Sequence, residues 1–177
     1  MKVLEHTKAI RAYCDYLDRH IKNVRRAWDE IAQACASMRF VYDDYVFWSI
    51  ESMVVDHDLS KVSAAEFIPY QRRFFPLEGE EPDRDGFAPA WENHKASNPH
   101  HWEHWSVRDY SNPYEAECHC VCMVIDWTAM AYEFGDTAES YYRKNADKIP
   151  IPDWSVRFIE EIFELTRDLD VPCGGMA

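Results

Sequence analysis

Residues 39–61 read Arg39-Phe40-Val41-Tyr42-Asp43-Asp44-Tyr45-Val46-Phe47-Trp48-Ser49-Ile50-Glu51-Ser52-Met53-Val54-Val55-Asp56-His57-Asp58-Leu59-Ser60-Lys61. Up to Val55 this segment is apolar or aromatic on nearly every face of a helix, and such a helix belongs in the centre of a helical domain. Its C-terminal end then delivers His57 and Asp58 to the interior. A neutral imidazole nitrogen and a carboxylate oxygen at one point suit divalent transition metals. His20 lies upstream of the pair, His94, His100, His101 and His104 lie downstream, and Asp126 follows later. These residues are expected to converge on a metal site.

The flanking sequence supports an all-α fold. From about Leu4 to Cys35, Ile10, Tyr13, Leu17, Ile21, Val24, Trp28 and Ile31 recur at three or four residues, the pattern of a long amphipathic helix. His20 sits between Leu17 and Val24 on that stripe, where the plainer reading is a core histidine satisfied by a neighbour. Ser63-Ala64-Ala65-Glu66 has the form of a capping box opening a helix toward Phe75, which Pro69 is expected to kink. Pro76 to Pro89 reads as a polar loop or lid, followed by a short helix from Ala90 that Asn98-Pro99 stops.

Tyr114 to Phe134 reads as a largely buried helix closed by Gly135. Asp126 lies inside it between Ile125 and Trp127, and a carboxylate in such surroundings needs a partner. Asp136-Thr137-Ala138-Glu139 caps a further helix to about Asp147. Asp153 caps the last one, with Trp154, Phe158, Ile162 and Leu165 facing inward. The tail from Val171 is expected to fray. No strand shows convincing alternation, so residues 1–177 are expected to form a single-domain helical bundle of about six to seven helices.

Composition narrows the function classes. The chain has 177 residues, 47% hydrophobic and 15% aromatic, enough to bury a real core. Its formal charge of −13 disfavours nucleic-acid polymers and anionic membranes as partners. A small phosphorylated substrate stays compatible, because bound metal ions reverse the local field. The N-terminus lacks a signal-peptide pattern and no stretch approaches a membrane span, so a cytoplasmic location is expected. Composition leaves a homodimer open. Cys118-His119-Cys120-Val121-Cys122 fans around a helical turn and reads as buried small residues rather than a structural metal knot.

His20, then His57-Asp58, then Asp126 on successive helices resembles the HD superfamily of metal-dependent phosphohydrolases. The resemblance spans about Tyr16 to Glu133. The aromatic-rich segments Asn98-Pro99-His100-His101-Trp102-Glu103-His104-Trp105 and Asp126-Trp127-Thr128-Ala129-Met130 also resemble an HD-like family of phage and bacterial proteins. His57-Asp58-Leu59-Ser60-Lys61 is similar to the His-Asp-x-Gly-Lys of the binuclear branch, which contains cyclic-di-nucleotide phosphodiesterases and di-iron inositol oxygenases. Ser60 replaces the usual Gly, and no Gly-Tyr-Pro follows.

The resemblance implies that His20, His57, Asp58 and Asp126 ligate a first divalent metal (manganese, iron, zinc or cobalt). His94, His100 and His101 are similar to the histidines that hold a second, giving one or two ions per chain. It further implies a metal-activated water, with Asp58 bridging the metals or orienting the nucleophile and Lys61 contacting the phosphoryl oxygens. The expected substrate is a nucleotide, mono- or triphosphate, or another small phosphate ester. Further phosphate contacts are open to Arg72, Arg73, Lys95, Arg108, Arg143 or Lys144, and base stacking to Trp102 and Trp105. His104 is read as a supporting or solvent-facing residue, His6 and His119 as structural. A di-iron oxygenase and a non-enzymatic helical protein remain the rivals.

Overall fold

The first helix, α1 (Lys2–Ala34), buries Tyr13, His20, Val24, Ala27, Trp28 and Ile31 on one face, the stripe that the three-and-four spacing predicts. This is a computed structural model, and it describes residues 2–110 and 112–168. The tail from Val171, expected to fray, lies outside the described residues. The other helices are α2 (Arg39–Tyr42), α3 (Asp44–Val55), α4 (Phe67–Phe74), α5 (Arg84–Ser97), α6 (Trp102–Trp105), α7 (Pro113–Phe134), α8 (Ala138–Asn145) and α9 (Asp153–Thr166). Short 3-10 turns cover Leu59–Val62 and Ala146–Lys148. The described residues contain no strand, as an all-α bundle requires. None of their helices is long and apolar enough to cross a membrane.

The centre of the bundle is α7, packed along α1 and flanked by α3, α8 and α9. Almost every residue of α7 from Cys118 to Ala131 is buried. Asn112 accepts a hydrogen bond from the Tyr114 backbone N–H at one end, and Gly135 in the left-handed region (φ 68°) closes the other. The three cysteines of the 118–122 run are packed inside. Burial pushes the Cys118 thiol up to about 12, so it behaves as a small apolar group.

Several expectations are corrected. The segment 39–55 is neither one helix nor the centre: Asp43 breaks it, its carboxylate accepting the backbone N–H groups of Tyr45 and Val46 to start α3. Tyr42, Tyr45, Trp48 and Val55 are each about two-thirds exposed. Tyr and Trp carry polar tips that tolerate water, so an aromatic run does not by itself identify a buried helix.

Ser63–Glu66 forms a turn rather than a capping box. Helix α4 begins at Phe67, and Glu66 makes no cap bond to it. Pro69 falls in the first turn of α4, where a missing N–H costs nothing. The polar loop is shorter than expected, because α5 starts at Arg84. The Asp83 carboxylate accepts the Gly86 N–H and holds that start, with Pro89 inside the helix. In α9 the N-cap is Pro152, and the buried residues are Ser155, Ile159, Ile162, Phe163 and Thr166. Trp154 and Leu165 are more than one-third exposed, so the inward face is turned from the one expected.

Candidate metal centre

Four elements meet beside the middle of α7. The buried stripe of α1 carries His20, one turn past Tyr16, whose ring stacks on the imidazole at 6.1 Å. After α3 the chain turns at Asp56, and Asp58 adopts a left-handed conformation (φ 59°), which Asp tolerates better than most residues. That turn places His57 and Asp58 on the same inner side, both buried. Helix α5 delivers His94 along the face it shares with Phe87 and Trp91, while His100 and His101 follow the Asn98 cap that ends it. Asp126 comes from α7.

The donor atoms converge. His20 Nε2 lies 3.3 Å from His57 Nε2, 3.0 Å from Asp58 Oδ2 and 3.4 Å from Asp126 Oδ1. His57 Nε2 lies 3.6 Å from Asp58 Oδ2 and 3.3 Å from Asp126 Oδ1. Hydrogen bonds alone explain this poorly, because the single proton on His20 Nε2 cannot serve three neighbours at once. Ligands about 2.1 Å from a common ion would stand about 3.0 Å apart in octahedral and about 3.4 Å apart in tetrahedral arrangement. Most of the observed spacings match those edges, and His20, His57 and Asp126 group closely enough for one divalent ion, with Asp58 Oδ2 beside His20.

Asp58 turns its other oxygen toward a second group. Oδ1 lies 3.2 Å from His94 Nε2 and 3.5 Å from His100 Nε2, yet it is buried with no well-formed hydrogen bond. His101 Nε2 is likewise buried and unsatisfied. One ring nitrogen from each of His94, His100 and His101 lies within 4.8 Å of the others. Orphaned buried acceptors beside clustered imidazoles fit a cation better than empty space, so the residues present can hold a second ion bridged to the first by Asp58.

Surrounding groups set the charge states. Burial pushes the Asp58 carboxyl up, but Lys61 and His57 outweigh it and hold it well below the usual carboxylate range. Asp126 is likewise pushed up by burial and then pulled below that range, chiefly by its hydrogen bond with His57. Burial, reinforced by the charge of His57, pushes His100 well down. Burial and His94 push His101 down to about 4. Ionised carboxylates and the downward-shifted His100 and His101 are in the forms that bind metals, whereas in His57 burial is outweighed by Asp58 and the net shift is upward.

Lys61 is buried rather than exposed at a helix start. Its ammonium donates to Asp58 Oδ2 at 2.5 Å, and burial is outweighed by Asp58 in raising its pKa.

Glu66 was not apparent from sequence as part of this site. It is fully buried, and its Oε2 accepts from His94 Nδ1 at 2.8 Å and from Ser60 Oγ at 3.0 Å. Asn93 Nδ2 donates to Oε1 at 2.7 Å, and Asn98 Nδ2 donates to Ser60 Oγ at 2.7 Å. A carboxylate on Nδ1–H fixes the tautomer that leaves the Nε2 lone pair free for a metal. The only sequence signal was the Ser63-to-Glu66 spacing, which points to a helix cap instead.

A cavity of about 680 Å³ opens onto Asp58, Lys61, His94, His100, His101 and Asp126. Trp102 lines it, whereas Trp105 does not. Trp105 is buried in the core, which removes it as a stacking surface. Arg72, Arg73, Lys95, Arg108, Arg143 and Lys144 are also absent from the lining. Lys95 pairs with Glu92, Arg143 with Glu160 and Lys144 with Asp136. His104 stands apart, bonded to the Ala96 carbonyl and Arg108. His119 packs against Tyr110, and His6 is exposed on α1.

Residues 9–165 match the profile of a family of unknown function (DUF5662), and the chain belongs to that family. No curated protein and no solved structure matches it.

Proposed function

We propose that this member of DUF5662 is a metal-dependent phosphohydrolase of the HD type, acting on a nucleotide or another small phosphate ester. The observation that carries the reading is Asp58: its two oxygens face two groups of imidazoles that adjoin where His57 stacks on His100 at 4.1 Å, and a buried lysine stands on the same carboxylate. His20, His57, Asp58 and Asp126 would hold one divalent ion, and Asp58, His94, His100 and His101 a second. Such ions, when bound, make hydroxide available near neutral pH and neutralise phosphoryl charge.

The chain's own residues supply the rest. Asp58 would set the separation of the two sites, because Lys61 holds Oδ2 while Oδ1 is left facing His94 and His100. Glu66 holds the His94 ring in orientation. Lys61 keeps Asp58 ionised, and its remaining N–H donors can face a phosphoryl oxygen. Water's oxygen forms the new bond to phosphorus, the ester P–O bond breaks, and one water proton ends on the departing alcohol. The products are an alcohol and inorganic phosphate, with no change of oxidation state.

The test is phosphate release from a panel of phosphate esters by protein supplied with Mn²⁺, alongside Asp126→Asn. Activity should vanish with chelator, return with metal and fall by at least about 100-fold in the variant. Metal-independent turnover, or equal turnover by the variant, would remove the metal centre from the chemistry. Iron with substrate-dependent oxygen uptake and no phosphate release would replace the hydrolase by an oxygenase.

A further inference from the structure

We infer that the cavity selects a monophosphate ester whose alcohol is a flat aromatic or apolar body, and that it discriminates against di- and triphosphates. This inference rests on the phosphohydrolase reading and narrows its substrate. At about 680 Å³ the cavity is large enough for a nucleotide-sized ligand. Its charge is the deciding feature. Among the described residues that line it, Arg19 and Lys61 are the only lysine or arginine side chains, against the carboxylates of Asp58, Asp126, Glu103, Glu133 and Asp136. Each already has a carboxylate partner, Lys61 in Asp58 at 2.5 Å and Arg19 in Glu133 at 3.2 Å, and the remaining donors of Lys61 would serve the phosphate at the ions.

A polyphosphate needs Lys, Arg or backbone donors along its length. Here the phosphate to be cleaved would rest on the ions at the floor, and any further phosphate would extend outward. It would then meet aromatic rings or the carboxylates of Glu133 and Asp136, whose partner cations Arg19 and Lys144 are already neutralised by them. Stripping water from a phosphate against aromatic carbon, or placing it beside a carboxylate, is unfavourable.

The same wall suits an uncharged ring. Phe87 and Trp91 line it from α5, and Trp127 and Tyr141 from α7 and α8. Phe87 and Trp91 follow at i and i+4, and His94 completes that face of α5. The element that presents a metal-binding imidazole therefore also presents the aromatic wall. The body of a monoester would lie against these rings with its single phosphate at the ions.

The experiment compares adenosine mono-, di- and triphosphate and ribose 5-phosphate on Mn²⁺-loaded protein. Phosphate release and equilibrium binding by tryptophan fluorescence are both measured. The monophosphate should exceed the triphosphate by about 100-fold in kcat/KM and bind more tightly, and should exceed ribose 5-phosphate by about tenfold. Triphosphate turned over as well as monophosphate would overturn the inference and leave the hydrolase standing. Ribose 5-phosphate equal to the mononucleotide would overturn its aromatic part. Preferential binding of the monophosphate without phosphate release would keep the selectivity and sink the hydrolase. Binding of none of the four would overturn the inference.

Discussion

Glu66 illustrates how a single side chain can decide what its neighbours do. It sits at 0% exposure and accepts hydrogen bonds from His94, Asn93 and Ser60, which together hold its carboxylate in place. Replacing Glu66 by Gln keeps the shape and removes the charge. The His94 ring then loses its anchor, and affinity for the second ion should fall about 10–100-fold while the first site keeps its own. Titration of metal into chelator-stripped protein reads both sites. Equal weakening of the two would assign Glu66 to general stability instead.

Lys61 presents the complementary case. Lys61→Met keeps an unbranched apolar side chain and removes the ammonium, which lies 5.6 Å from the Tyr70 ring centroid. Turnover should drop about 10²–10³-fold, the size expected for one preorganised charge donor. Circular dichroism and metal content check that fold and ions persist. Turnover within twofold of wild type would take Lys61 out of the mechanism.

At the scale of elements, two glycines separate two kinds of helix boundary. Gly135 ends α7 at φ 68° with open space where a Cβ would stand. Gly135→Ala therefore carries only the left-handed penalty, about 1 kcal/mol, and Gly135→Asn should cost less. Gly86 is different, since a Cβ there would lie 2.4 Å from the Asp83 carboxylate that caps α5. Gly86→Ala should displace that cap and cost about 1 kcal/mol as well, while loosening the start of the helix that ends in His94. Urea unfolding measures both costs, and hydrogen exchange distinguishes them: protection in the first turn of α5 falls only in Gly86→Ala. Unchanged protection there would mean that Asp83 is not what holds α5 in place.

The elements also show what a sequence does and does not reveal. Helices α1 and α7 are legible because their burial follows a three-and-four spacing or is nearly continuous, and because Gly135 marks the end of α7. The order His20, His57-Asp58, Asp126 is legible chiefly through its resemblance to the HD superfamily, since His20 alone reads as a satisfied core histidine and His57-Asp58 stand in the turn after α3. Helix α3 misleads, since Tyr45 and Trp48 look like core yet face water. The partners of His94 are invisible for another reason. Glu66 and Ser60 reach it only through the packing of α4 and the Leu59–Val62 turn against α5, and no local spacing encodes that packing.

For the whole molecule, the centre concentrates buried titratable groups, and stability must depend on pH. His101 sits near pKa 4 in the folded chain, chiefly through burial and then through the charge of His94, against about 6.5 when unfolded. Between those values the unfolded state binds the extra proton, so stability falls as pH drops from about 6.5 toward 4. His100 shifts in the same direction. In His57, burial lowers and the charge of Asp58 then raises, with a net upward shift. That stabilisation is full below about 6.5 and is lost as pH rises through the folded value, so it opposes the other two. Asp58 and Asp126, both depressed, add a further loss below the carboxylate range. The metal-free protein should show a melting temperature that declines from pH 6.5 to 4, with a full His101 contribution of about 3 kcal/mol. The His101→Gln variant should decline less steeply over that window. An identical slope would mean that His101 is protonated in the native state.

The most direct measurement is the metal content of purified protein after saturation with Mn²⁺ and removal of free ion, compared across wild type, His94→Ala and Asp58→Asn. Asn tolerates the left-handed backbone at position 58, so that variant removes the bridging charge with little added strain. The arrangement of Asp58 between two groups of imidazoles predicts two ions per chain in wild type, about one in His94→Ala and neither held tightly in Asp58→Asn. Equal metal content in all three proteins, or none in wild type, would contradict it.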